Sequence, residues 1–588
     1  MPICSIFRAR APRSKAHAPS KCLYFLGAIC FLICGAEEGQ AQHPPCFDAN
    51  VVTHHYNQQR TGATLNETSL NQTLVSSPRF GKVAEFPVRG RIYAQPLFFS
   101  SLFSDPPRCV LIVATAENLV YAFDVINGFG KLIWTYDAGS QNVATAARVY
   151  LDADGTKHSQ DITPTIGIIG TPVIDLPHFT MYFVAMTEEP GDVFEHTLHA
   201  IDIRTGTLRK KTSIVGNIRG GGQFHSHREN QRAALALVDD RVYIPWASFA
   251  DIPPTDGLVM SYMVVDSTKP LQKVAQFQVA SFDPLFGKRH KGGGIWQSGG
   301  GPAVDEKEFL YVVTGNGDSD NAHAGQDFDS STVKLDTGLH VIDYYTPSYQ
   351  NVLNANDLDL SVAGPMIPEN RFDADGHLVK LLLHGSKAGF VYVLNRDNLG
   401  KFHEHENNII QQLQVFPPAD DLPHQMEPTH IHATPIFWKG PDGPRVYVAS
   451  DYNLGVRAFQ FDHEKLAPSP VATNFFPRAP ISQMSLSSHG DERGTGVLWF
   501  ISSPTGTVAS YPGVLYAFNA ETLDMLYSSE TNPFDRLGDY ARFNAPIVVA
   551  GLVYVPTFSN KLVVYGPCPG GDPVQCRLRC ITPGCAGL

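Results

Sequence analysis

A unit of about 64 residues recurs along this chain, and a chain built of such units has few ways to bury itself. Each unit opens on a short segment ending in a small residue, often proline, that leads into an apolar strand. The clearest openings are "YAQPLFF" at 93, "IGTPVID" at 169, "GGGPAVD" at 299, "VAGPMIP" at 362, "HATPIFW" at 432 and "FNAPIVV" at 543. Two intervals are about double the rest, and each holds a weaker copy: "QRAALALVDDRVYIPW" from 231, and "GVLWFISS" from 496 followed by "GVLYAFNAETLDMLY" from 513. From Pro96 to Pro546 the chain therefore makes seven steps, which means eight units.

Later segments of the units, such as "LVYAFDVINGFGKLIW" at 119 and "LHAIDIRTGTLRK" at 198, alternate apolar and polar residues before an Asp, Asn or Gly turn. That period of two predicts strands joined by turns. Four short antiparallel strands cannot bury both faces alone, whereas stacking such sheets around an axis leaves only short edges. The predicted fold is an all-β, eight-bladed β-propeller. A series of β-sandwiches is the alternative, and the unit is too long for a simple β-helix coil.

The last unit shows three strands and no fourth, while "FGKVAEFPV" at 80–88 precedes the first opening and belongs to no unit. This piece resembles "FGKLIWTYD" at 129–137, so an N-terminal strand is expected to close the last blade. Residues 323–361 form the longest departure from the unit, and "NVLNANDLD" within them is a candidate short helix over one face.

Composition agrees with a turn-rich exported protein. There are 50 Gly, 43 Pro, 35 Phe and 22 Tyr, and a net charge of −12 argues against nucleic acid as a partner. Residues 1–41 read as a signal peptide: basic residues, the apolar run "CLYFLGAICFLICGA", then a small-x-small site ending at Ala41. An uncleaved anchor is the rival reading, and no later stretch is apolar enough to span a membrane. The expected location is secreted, periplasmic or cell surface. Cys46, Cys109, Cys568, Cys576, Cys580 and Cys585 remain after cleavage, an even number that suggests disulfides. A zinc knot in the tail is the alternative, although the tail lacks C-x2-C spacing. Asn66 and Asn71 sit in N-glycan acceptor patterns. The resulting layout is a signal peptide (1–41), an N-terminal extension (42–79), the propeller (80–566) and a Cys-rich tail (567–588).

The stretch "LVYAFDVINGFGKLIW", with "YNQQRTGATLNETSL" at 56, "GRIYAQPL" at 90, "GGGIWQSGGGPAVD" at 292, "TGNGDSD" at 314 and "LNANDLDL" at 353, resembles the pyrroloquinoline-quinone (PQQ) propeller superfamily. Residues 54–566 are similar to its secreted PQQ-like repeat proteins. The resemblance implies a ring that, in the dehydrogenases of the superfamily, holds the quinone over its centre with Ca2+ on a Trp floor, with an Asp or His as base. The adjacent cysteine pair of many alcohol-oxidising members is absent here. A fold alone does not fix an activity.

Candidate site residues cluster at the blade openings. Trp296 is the candidate stacking floor, with Arg91, Arg542 and Asn544 as further cofactor contacts. Asn316, Asp318, Asp320, Asp327 and Asp329 offer hard oxygen atoms for Ca2+, without EF-hand spacing. Asp318 is also a candidate proton acceptor. His225 and His227, and His430 and His432, form two His-x-His pairs that suit a transition metal if folding joins them. His227, His430 and His432 are further catalytic candidates; hydrogen bonding across the ring is the plainer role for each pair. Tyr93 and Gln297 are other polar residues at the openings, and His489 is grouped with them. The glycine runs at 220–222, 292–294 and 299–301 lack the Lys-Ser/Thr of a phosphate loop.

Three functions stay open. The first is a binding or scaffold module for a small molecule, glycan or extracellular protein. The second is a PQQ/calcium- or metal-dependent oxidoreductase of small alcohols or sugars. The third is a polysaccharide lyase or hydrolase using His227, His430, Tyr93 and Arg542.

Overall fold

The structure, a computed structural model, describes Cys46 and residues 49–568 except 102–106, 127–128, 153, 219–221, 253–256, 265–269, 281, 284–287, 290–291, 319–325, 417–429, 452–453, 475–480 and 504–510. The predicted signal segment, the tail after Cys568 and its cysteines, and Asp320 lie outside the described residues.

Period-two alternation has folded into eight antiparallel sheets. Blade 1 runs outward through Leu97–Ser101, Arg108–Ala114, Leu119–Asp124 and Lys131–Asp137. Blade 2 begins at Val173–Asp175, blade 3 at Ala236–Val238 and blade 4 at Ala303–Val304. Blade 5 begins where Met366 bridges Leu383, blade 6 at Ile436–Gly440 and blade 7 at Ser485–Ser487. The two weak copies are thus full blades, the third and the seventh. Blade 8 consists of Ile547–Val549, Leu552–Pro556, Lys561–Pro567 and, as its outer strand, Phe80–Pro87. Phe80 faces Pro567 and Pro87 faces Lys561, so the N-terminal strand closes the ring as expected.

Each blade buries its faces against its neighbours, as a sheet with two apolar faces must. Blades 1 and 2 share Leu97, Ile112, Met181 and Phe183, and blades 8 and 1 share Phe98, Leu111, Tyr554 and Leu562. Six further clusters fill the remaining interfaces. A fully buried side chain of this kind stabilises by about 1.5–3 kcal/mol. Residues 323–361 are less of an insertion than the repeat suggested. Thr332–Leu335 and Val341–Thr346 are the outer strands of blade 4, and only then comes a short helix, Gln350–Ala355.

The N-terminal extension does more than precede the ring. Residues 51–67 form a strap that touches all eight blades at one end of the axis. Val51 and Val52 pair with Phe98 and Ile174 of blades 1 and 2, and Gln58 reaches Leu237 O of blade 3. Backbone oxygens of Gln58, Gln59, Thr61 and Gly62 accept from Val304, Ile367, Phe437 and Leu486 of blades 4 to 7. Tyr56 Oη and Glu67 Oε2 accept from Val548 and Gly551 of blade 8. Inner strands that would otherwise leave N–H groups unpaired at this end find partners in the strap. A disulfide, Cys46–Cys109, ties the strap's approach to blade 1. Cys568 is also disulfide-bonded. Among the described residues no helix is long and apolar enough to cross a membrane.

Candidate functional site

The opposite end of the axis is a funnel whose floor is made by three crossings. Arg232 of blade 3 donates to Ile169 O of blade 2 and, across the axis, to Phe543 O of blade 8. Gln483 of blade 7 donates to Ser298 O of blade 4 and His432 O of blade 6. Between them runs the turn Gln297–Gly299, where Gln297 and Ser298 hold φ of 48° and 42°. Two successive non-glycine residues in the left-handed region mark a turn that the surrounding contacts must hold in place.

Trp296 stands at the head of this turn. Trp134, Trp246, Trp438 and Trp499 are buried in the blades, and Trp296 alone of the five stays half-exposed. Gly294 supports it closely, since a Cβ there would lie 2.9 Å from the indole Nε1.

Beside Trp296 the chain gathers carboxylates. Gly315 N donates to Gly294 O, and Gly293 N to Asn316 O, which lays Asn316 against the Trp296 strand. Asn316 N donates to Asp359 Oδ1 at 3.1 Å, and its amide reaches Asp357 Oδ1 at 3.4 Å. Lys387 Nζ lies 3.0 Å from Asp357 Oδ2 and 2.7 Å from Asp359 Oδ2. Against the lowering that burial imposes, Asp359 and Asp357 raise the Lys387 ammonium above its usual pKa.

Asp251 follows two positive φ angles, its own at 51° and 50° at Ala250. Asp251 is exposed to solvent, while its carboxylate stands among the other charged groups of this half. Desolvation, with the charges of Asp359, Asp357 and Asp161, pushes it up to about 7. Asp161 is raised for the same first reason, with Arg542 and Lys387 opposing. Blades 2 to 5 thus supply an acidic half of the funnel.

Blades 6 to 8 and 1 supply the other half. His430 and His432 come together as their spacing predicts, with ring centroids 5.4 Å apart. Burial, with His432, Lys387 and Arg542 nearby, pushes the His430 imidazole down to about 3. His432 stacks on Phe543, and its Nδ1 lies 2.7 Å from the buried Asp451 Oδ2, off the line of a straight hydrogen bond. Arg542 lies over Phe543 with a buried, unpartnered Nε. Arg91 and Tyr93 point the same way, and both donate to Thr163 O.

Several predicted residues stand elsewhere. His225 is exposed, while His227 stacks on Phe194 at 4.2 Å and contacts Arg148 O. Among the described residues no three-ligand cluster includes a histidine of either pair. The pairs sit on different blades, and Phe194 holds His227 away from the mouth. Of the set considered for lyase chemistry, Tyr93, His430 and Arg542 share the half of the funnel made by blades 6 to 8 and 1, and His227 stands apart against Phe194. Asn544 is buried and donates to Ile92 O and Ala94 O, stitching blade 8 to blade 1 rather than facing a ligand. His489 bridges Asn66 and contacts Glu492 instead of lining the mouth. Asp327 and Asp329 are buried, the latter under Gly317, and Asp318 is exposed at the rim.

Sequence reasoning missed Asp161, Asp251, Asp357, Asp359 and Lys387. The D-x-D spacing of 357 and 359 beside Asn316's stretch was the available signal; the other three sit in loops with no periodicity.

No family profile matches the sequence, and no curated protein is detectably similar to it in sequence. Solved structures are. A quinohemoprotein alcohol dehydrogenase, ADHIIG from Pseudomonas putida HK5, superposes with a TM-score of 0.60 at 14% identity, covering 89% of this chain and 81% of its own. A europium-containing methanol dehydrogenase gives 0.57 at 14%, covering 88% and 98%. The quinohemoprotein alcohol dehydrogenase of Comamonas testosteroni gives 0.57 at 15%, covering 89% and 81%. The chain is an eight-bladed propeller structurally related to the PQQ-dependent quinoprotein dehydrogenases. At these identities the likeness establishes the quinoprotein ring plan, and the chemistry must come from the funnel.

Proposed function

We propose that this chain is a quinoprotein-type oxidoreductase that takes a planar quinone and a divalent cation, Ca2+ by its donors, in the funnel and acts on small alcohols or sugars. The observation that carries the reading is the constellation at Trp296: Asn316 holding Asp357 and Asp359, both against Lys387, beside the one half-exposed indole.

The donor set fits both groups. Asp161, Asp251, Asp357 and Asp359 place more carboxylates in one half-funnel than Lys387 and Arg542 balance, and the upward displacement of Asp251 reports that crowding. Asp251, Asp357, Asp359 and Asn316 would hold the cation. Trp296 would support the quinone ring, and Arg542, with its unpartnered Nε, suits an acidic substituent. When bound, the quinone supplies a two-electron acceptor and the cation polarises its carbonyl.

The chain's own residues supply the acid–base work. Lys387 fixes Asp357 and Asp359, so neither can swing away from the floor. With Asp251 committed to the cation, Asp161, raised by burial, is the carboxylate left to take a hydroxyl proton. His432, oriented by Asp451, stands on the opposite side.

The test is to titrate metal-stripped protein with PQQ in the presence and absence of Ca2+, following indole fluorescence and dye-linked oxidation of a primary alcohol and a sugar. Expected are stoichiometric Ca2+-dependent quenching, lost in Trp296→Phe, and turnover lost in Asp359→Asn. No quenching and no turnover would discard the oxidoreductase and leave a binding module. Quenching without turnover on any alcohol or sugar would keep the binding site and reject the activity.

A further inference from the structure

Between the funnel floor and the strap lies a group of buried polar side chains that the proposed chemistry does not use. Arg60 of the strap is 1% exposed and donates to Pro302 O, Thr53 Oγ1, His54 O and Leu235 O, all uncharged. Arg232 of the floor is 5% exposed, and its partners, Ile169 O, Phe543 O and the Tyr93 ring, are uncharged too. Among the described residues neither guanidinium meets a carboxylate. Burial lowers both, to about 9 and about 10, which leaves both charged at neutral pH.

Neutral groups near them lack partners as well. His54 and His55 stack at 4.2 Å, and His54 lies within electrostatic range of both arginines. His54 Nδ1 is buried without a hydrogen-bond partner, while the buried His55 ring lies against the backbone of Arg60 and Met484. The Gln297 side chain is wholly buried with neither amide atom partnered, one turn from Gly299, where a Cβ would lie 2.6 Å from Arg232 Nη1. Two buried cations without counter-charge are costly, and unmade buried hydrogen bonds add to that cost. The net charge here is positive.

We infer that the axis between floor and strap holds a small monovalent anion of the halide class, bound against Arg232 with Arg60, His54, His55 and Gln297 around it. Such an ion neutralises buried charge, accepts from several N–H groups at once and needs no directional acceptor of its own. The anion is independent of the quinone, since it lies beneath the floor.

The experiment uses the full chain in chloride, bromide and gluconate salts at equal ionic strength, with thermal unfolding and bromide anomalous diffraction from crystals grown in sodium bromide. One occupied site is expected to raise the midpoint by roughly one to two degrees for each tenfold rise in halide above its dissociation constant. An anomalous peak is expected on the axis within contact distance of Arg232. Arg232→Gln should lose the halide response. If that variant does not fold, Gln297→Ala should fold and show a weaker response. Peaks at surface sites only, with equal midpoints in all three salts, would overturn the proposal and assign the space to water.

Discussion

The two ends of the propeller axis meet the same problem in opposite ways. At the strap end, residues 51–67 pair with all eight blades, and side chains such as Arg60 and His55 are sealed from water. At the funnel end the openings are joined by loops, and charged groups crowd one another in direct contact, with Asp357 open to solvent. Charge at the strap end is few in number and dry; at the funnel it is dense and wet. A dry charge without a counter-charge threatens the fold, whereas a crowded wet one stores binding capacity for a cation. Stability and function have therefore been separated along the axis, and substitutions at the two ends should differ in kind.

The largest contrast should come from Arg60→Ala, which removes four buried hydrogen bonds, two within the strap and two that link it to blades 3 and 4. Urea unfolding should show a loss of about 3–5 kcal/mol, or no folded protein at all. Asp359→Asn in the funnel should change stability by less than about 1 kcal/mol in either direction. Equal losses at both ends would break the comparison.

Acid should act next, and through buried imidazoles. Burial pushes His55 and His196 down to about 3 and His384 to about 4. Below pH 6.5 the unfolded chain takes up protons that these native imidazoles refuse, so stability falls as pH drops from about 6.5 towards 4. Each such group steepens the fall by up to about 1.4 kcal/mol per pH unit. His55→Gln should flatten the curve measured by urea midpoints between pH 7 and 5, and an unchanged slope would show that His55 is hydrated in solution.

How much of this was legible depended on whether a residue belonged to the repeat. The prolines and period-two segments announced eight blades because every unit faces the same burial problem, and Phe80–Pro87 could be assigned because blade 8 lacked a strand. Trp296 stood out because it sits beside a blade opening, and Asn316 because its stretch is rich in hard oxygen ligands. The strap was not legible: "THHYNQQRTGAT" has no periodicity, since its backbone answers six blades in turn and its side chains the other two. Asp161 and Asp251 were hidden likewise, because only ring closure brings loops of distant blades together. His227 shows the converse, a residue whose spacing suggested a site and whose neighbour Phe194 gave it a packing role.

Asp251 gives a smaller effect of opposite sign to the histidines. Its folded carboxyl titrates near 7 while an unfolded Asp titrates near 4, so the native state binds the extra proton between those values. Metal-free protein should therefore lose stability at this site as pH rises from about 4 to 7, and Asp251→Asn should remove that loss. Saturating Ca2+ should restore the wild-type midpoint at pH 7 and do little for the variant. A calcium response that survives in Asp251→Asn would move the cation away from this carboxylate.

The smallest expected effect is also the cleanest separation of spacing from geometry. His227→Phe keeps a ring against Phe194 and loses only the 3.2 Å contact with Arg148 O. Stability should shift by about 1 kcal/mol or less, and the Ca2+ and quinone titrations should not move. His432→Phe has the opposite profile. It leaves Asp451, which is 3% exposed, with no imidazole beside it at the mouth, and it should alter turnover and its pH dependence with Trp296 quenching intact. If both variants behaved alike, sharing a His-x-His spacing would matter more than which end of a blade the pair occupies. The stacking of one histidine on Phe194 and the other on Phe543 argues that it does not.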